Sequence, residues 1–193
     1  MTLYSVVLFV HVLAAIALFI AIAFEGAILR RLRTAQNLEE LEHSARASRR
    51  LGAVYGPAFL ALLAAGMYLA EQMHIRAVWV PLAVGATLLM AIVSVVTARD
   101  MSRLRKRLAE NDRSLEKVRG AALSTTLLVS YGFRSGLAVG ILFLMTATPK
   151  LVPSIAALTV ASILGIVFGL GFRRASPSTT SWTSKQSQAS VRS

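Results

Sequence analysis

Residues 123–147 read LSTTLLVSYGFRSGLAVGILFLMTA, and this stretch decides the fold. It is long enough to cross a hydrocarbon layer of about 30 Å, which needs roughly 20 apolar helical residues. Backbone N–H and C=O groups in hydrocarbon must find partners within their own segment, so the stretch predicts a helix. It lacks the apolar–polar alternation of a barrel strand. Its one charge is Arg134, close to the middle. An arginine at a helix centre costs about 2.5–3.5 kcal/mol on insertion scales, so Arg134 is expected to turn into a bundle and find partners there.

Working outward, residues 1–24, 51–70, 77–98 and 151–172 contain no charged residue at all. The whole chain is 55% hydrophobic and 16% charged, against about 25% charged in ordinary soluble domains. Together these observations exclude a soluble globule, a disordered chain and a disulfide-stapled secreted domain, and there is no Cys. The expectation is an all-α integral-membrane protein, a bundle of five transmembrane helices over about 3–28, 53–71, 77–98, 123–147 and 151–172. Residues 1–172 form the membrane domain and 173–193 a disordered tail; from Ala175 onward the tail holds seven Ser and three Thr. No Lys or Arg precedes the first apolar run, and Arg30, Arg31 and Arg33 follow it, so it is read as a retained helix rather than a signal peptide.

Lys and Arg fall unevenly. Eighteen of the 21 lie in the first connection, the third connection and the tail, while only Arg76 and Lys150 lie on the opposite side. The positive-inside rule then places the N-terminus outside and the C-terminus in the cytoplasm. A net charge of +12 in this arrangement speaks for anionic lipid headgroups as the partner, not nucleic acid. The expected location is a bacterial cytoplasmic membrane. Asn37-Leu38-Glu39-Glu40 carries the signature of a helix start. Leu38, Leu41 and Ala45 follow at helical spacing, and Met101, Leu104 and Leu108 repeat among basic residues in the third connection. Both connections are expected to extend their neighbouring helices beyond the bilayer, with apolar stripes suited to packing or to docking a partner.

Small residues permit close helix contact in lipid. Helix five carries Ala157, Ala161, Gly165 and Gly169 at four-residue spacing, and helix four carries Gly132, Gly136 and Gly140. Helix two carries Gly52 and Gly56, then Ala61 and Ala65. These stripes predict close packing within the chain, with packing against a second copy as the alternative. Pro57, Pro81 and Pro153 are placed near helix beginnings, where a missing N–H costs little.

The polar residues of the spans are few. His11 and Glu25 are 14 residues apart, close to four helical turns, and so share a face of helix one. The sequence reading is a polar cluster centred on Arg134, with His11 above and Glu25 below. Ser130, Tyr131, Ser135, Ser94 and Tyr55 are further contributors. Two readings stay open for it: a lock on helix register, or a site for an ion, a proton or a small ligand. Catalytic signals are absent: there is no H-E-x-x-H, P-loop or dinucleotide fingerprint, and no residue is assigned a catalytic role. His43 and His74 are expected on opposite sides of the membrane, so a bis-His haem within one chain is not expected. A single-His haem or copper site on His11, or a site shared across a dimer, stays open. The leading expectation is a non-enzymatic membrane protein with a midplane polar site for an ion, haem, copper or small ligand. The alternative is a structural or assembly factor that docks a membrane-protein partner through its cytoplasmic helices.

Three stretches carry a family resemblance: Phe9-Val10-His11-Val12-Leu13-Ala14-Ala15; Arg50-Leu51-Gly52 leading to Gly56-Pro57; and Arg134-Ser135-Gly136 leading through Gly140 to Phe143-Leu144-Met145-Thr146. They resemble a family of small bacterial multi-pass integral-membrane proteins of unknown function, itself distantly similar to the membrane domain of copper-resistance D proteins. The resemblance covers most of the chain up to Lys150. It implies a cytoplasmic-membrane location and an intramembrane His on helix one, and through the distant relatives it implies metal or haem handling. The chain departs from the family at Pro149-Lys150, where members read Lys-Pro, so no role for that loop is carried over.

Overall fold

The computed structural model describes residues 2–35, 37–72, 78–109 and 124–174. All the regular structure in them is helical: α1 (Leu3–Thr34), α2 (Leu38–Gln72), α3 (Trp79–Ala109), α4 (Thr125–Ala147) and α5 (Leu151–Arg174). Each contains a segment long and apolar enough to cross a membrane: Leu3–Leu32, Glu42–Gln72, Trp79–Arg103, Thr125–Ala147 and Leu151–Gly171. The expected all-α, multi-pass architecture is therefore present. The expected tail from Ala175 on, residues 73–77 with the expected external His74 and Arg76, and residues 110–123 lie outside the described residues, as do the side chains of Leu38, Leu41, Ala45, Leu104 and Leu108.

Three helices outrun a bilayer. At 1.5 Å per residue, α2 with its 35 residues is about 52 Å long, and α1 and α3 are about 45–48 Å. The extra turns lie at the end where α1 and α3 finish and α2 and α4 begin, called here the basic end. At that end Asn37 caps α2, its Oδ1 accepting from Glu40 N at 2.9 Å. The early start of α2 corrects one expectation. Pro57 is not near a helix beginning but well inside α2. It lacks the N–H that would bond the carbonyl one turn back, that of Ala53.

The helices form two antiparallel hairpins, α1–α2 and α4–α5, with α3 packed along α4 and only lightly against α2. Helix α4 is the centre: 61% of its apolar window is buried, against 11% for α5 and 22–28% for the others. Leu18 and Ile22 of α1, Met90 of α3, and Leu137, Ala138 and Ile141 of α4 make up the middle of the core. Large apolar side chains face outward on every helix, among them Phe9, Phe24, Leu60, Ile92, Val139 and Leu164. That belt is what a lipid solvent accepts and water does not. Hydroxyls inside the bundle bond back to their own helix, as Thr87 does to the Ala83 carbonyl at 2.7 Å and Ser162 to that of Leu158 at 2.7 Å.

The α4–α5 contact runs backbone on backbone. A Cβ at Gly132 would collide with the Gly165 carbonyl, one at Gly136 with the Ala161 carbonyl, and one at Gly169 with the Leu128 carbonyl. At Gly140 it would meet Leu158 Cδ2 at 3.0 Å. Ala157 packs against the core from α5. These small-residue stripes serve packing within the chain. The turn between the two helices is tight: Thr148 closes α4 with φ 43°, and buried Ser154 donates to the carbonyl of Lys150 at 2.8 Å.

Gly52 and Gly56 behave differently from the expected packing stripe. No atom lies within 4 Å of a Cβ built on either. They face a gap between α2 and α3.

Candidate functional site

The gap follows from the hairpin arrangement. Because α3 leans on α4, a seam opens between α2 and α3, and two cavities occupy it. One, of about 460 Å³, lies toward the basic end; its walls include Glu25 and Ile28 of α1, Tyr55 and Phe59 of α2, Ser94 and Met101 of α3, and Arg134 of α4. The other, of about 820 Å³, lies toward the opposite end. It is lined by His11 and Phe19 of α1, Leu62 and Gly66 of α2, Trp79 and Thr87 of α3, and Met145 of α4, among others.

Arg134 ties four helices together at the first cavity. It is 3% exposed. Its Nη2 donates to Glu25 Oε1 on α1 in an ion pair, and its Nη1 donates to Ser94 Oγ on α3 at 3.2 Å. Its Nε donates to the Ser130 carbonyl of its own helix at 3.4 Å. Tyr55 of α2 completes the set, its hydroxyl donating to Glu25 Oε2 at 2.9 Å. The guanidinium carbon also stands 5.8 Å from the Tyr55 ring centroid, within cation–π reach. Charge is thus balanced where water is scarce. An arginine that must leave lipid meets the acidic residue that adjoins the first span, with the Ser94 hydroxyl accepting from the guanidinium and the Tyr55 hydroxyl donating to the carboxylate.

Two of the other sequence candidates support this arrangement. Ser130 is buried and contributes its carbonyl rather than its hydroxyl to Arg134. Tyr131 is buried one turn from Ser135, whose hydroxyl donates to the Tyr131 carbonyl at 2.8 Å. The Tyr131 hydroxyl lies against Gly26, where a Cβ would collide with it. Gly26 was not singled out by the sequence reading; the signal available was a glycine directly after the acidic residue of a membrane helix.

His11 is not brought to Arg134. Its Nδ1 donates to the Leu62 carbonyl of α2 at 3.1 Å, and Gly66 leaves room for the ring. Fourteen residues of helix put it about 21 Å along α1 from Glu25, beyond the reach of any side chain. It belongs to the larger cavity. With Nδ1 bonded to a carbonyl, Nε2 is the ring nitrogen left for another contact. Among the described residues no three His, Asp or Glu stand close enough to hold a common metal ion. A haem or copper at His11 would find one ring nitrogen there and the Met145 thioether on the wall of the same cavity, and would take any further ligands from elsewhere.

Compared with protein-family models, with curated proteins and with solved structures, the chain matches none of them.

Proposed function

We propose that this chain is a non-enzymatic protein of a bacterial cytoplasmic membrane that binds a small molecule in the 460 Å³ cavity, with the Arg134–Glu25 pair as its polar anchor. The observation that carries the reading is the placement of that pair. A register lock alone needs no adjoining space, yet here the charged side chains form one wall of a largely apolar cavity between helices. Apolar walls with a few convergent polar groups are the general character of small-molecule sites.

The asymmetry of Lys and Arg supports an N-outside orientation, which turns this cavity toward the cytoplasmic half of the bilayer and the basic end toward anionic headgroups. Membership of the small bacterial family is part of the same proposal and is supported by the short motifs around His11, Gly52 and Arg134.

Native mass spectrometry of the protein released from lipid nanodiscs tests the reading. The expected result is one small molecule of constant mass, bound once per chain and missing from Gly56→Leu. Gly56 lines the cavity and a Cβ there meets open space, so leucine adds bulk at the cavity wall without a clash at its Cβ. A wild-type chain that carries nothing, or a molecule retained by Gly56→Leu, would sink the idea.

A further inference from the structure

The hydrogen-bond inventory around the cavity indicates what kind of molecule belongs there. An arginine side chain has five N–H donors. The described residues supply acceptors for three of those on Arg134: Glu25, Ser94 and the Ser130 carbonyl. The hydroxyls on the cavity wall are engaged. That of Tyr55 goes to Glu25, that of Ser94 to the Met90 carbonyl at 2.7 Å, and that of Thr97 to the Val93 carbonyl at 3.0 Å. Ser48, which also lines the cavity, is itself engaged. What this wall has left to give is therefore the remaining N–H donors of a guanidinium that is 3% exposed. Buried N–H groups without an acceptor are rarer than carbonyls with a spare lone pair, so the missing partner is an acceptor.

Charge narrows the choice further. Glu25 already neutralises Arg134. A carboxylate or phosphate ligand would bring a third charge, leaving one uncompensated in a poorly solvated space. A carbonyl oxygen brings no charge and has two lone pairs. The remaining walls, with Ile28, Phe59, Leu60, Val95 and Met101, are apolar.

We infer that the cavity takes an uncharged, mainly apolar molecule bearing a carbonyl-type acceptor, a ketone, ester or quinone, whose oxygen accepts from Arg134. This rests on the small-molecule reading above and adds the ligand class to it.

The test uses the full-length protein in nanodiscs and a medium-chain methyl ketone labelled with carbon-13 at its carbonyl. A carbonyl bonded to a guanidinium resonates downfield of the same carbonyl in lipid. The expected result is a second, saturable, downfield resonance that is lost in Gly56→Leu. The unlabelled ketone should compete for it at least about tenfold better than the alkane or the carboxylate of equal length, the discrimination a hydrogen bond to a charged donor supplies. If the carboxylate competes best, the ligand class is wrong while the cavity reading stands. A downfield resonance that survives in Gly56→Leu, or its absence from a wild-type chain that still carries its own copurified molecule, also overturns the ligand class alone. A copurified molecule that survives in Gly56→Leu overturns the cavity reading itself.

Discussion

Glycines repeat every four residues in two regions of this molecule, with opposite results. Along α4 and α5, Gly132, Gly136 and Gly165 bring two backbones into contact, leaving no room for a Cβ. Along α2, Gly52 and Gly56 touch nothing and open onto a cavity. The packed seam is held by van der Waals contact along its length. The open seam has little such contact, and the polar bonds of Arg134 and Glu25 tie four helices together across it. Small residues permit approach; whether approach happens depends on what the facing helix offers. Opposite Gly132 and Gly136 stand Gly165 and Ala161. Opposite Gly56, α3 presents no comparable run of glycine, and it is already committed to α4.

The largest expected effect breaks the clamp of the open seam. Glu25→Gln leaves the Arg134 charge without its counter-ion. Removing one partner of a buried pair typically costs about 3–5 kcal/mol, which a detergent unfolding titration can measure. The double variant Glu25→Gln with Arg134→Met removes both charges and is expected to recover most of that loss. If the double variant is as unstable as the single one, the pair is not what holds the seam. Next in size is Gly136→Val in the packed seam. Overpacking usually costs about 1–3 kcal/mol, and the upper end is expected, because the colliding atoms belong to the backbone of Ala161 and Ser162. A loss below about 1 kcal/mol would mean that α5 can slide away freely, and the contrast between the seams would lose its force.

Sequence made the five spans legible because each apolar run is long enough for a bilayer, and lipid leaves a backbone little alternative to a helix. The contact between Glu25 and Arg134 was also legible. A charge in hydrocarbon has few possible partners, and one acidic residue adjoined the first span. The two roles of glycine were not. Spacing places residues on one face of a helix but does not say which neighbour that face meets. Pro57 lies near the start of its apolar run but not of its helix, because α2 begins at Leu38, at the helix-start signal of Asn37–Glu40, and runs unbroken into the span. His11 was expected above Arg134 because the two share the bundle interior. Helical arithmetic fixes the shared face of His11 and Glu25, but about 21 Å of rise separates them, and the two ends of the seam became separate cavities.

That separation makes the last comparison the most discriminating, although its expected effect is the smallest. His11 reaches across from α1 to α2, as Arg134 reaches across the bundle, but it does so through one hydrogen bond to a backbone carbonyl rather than an ion pair. Its acceptor, the Leu62 carbonyl, lies inside α2 and keeps the helical bond of its own turn when the imidazole is removed. His11→Phe keeps an aromatic ring at that position and removes the Nδ1–H donor together with Nε2. Hydrogen bonds between membrane helices average about 0.6 kcal/mol in bacteriorhodopsin, and a loss of that order is expected in the same unfolding titration. A loss approaching that of Glu25→Gln would mean that the cavity at His11 is clamped as firmly as the one at Arg134. The difference between the two ends of the seam would then lie in their chemistry alone, not in what holds the helices together.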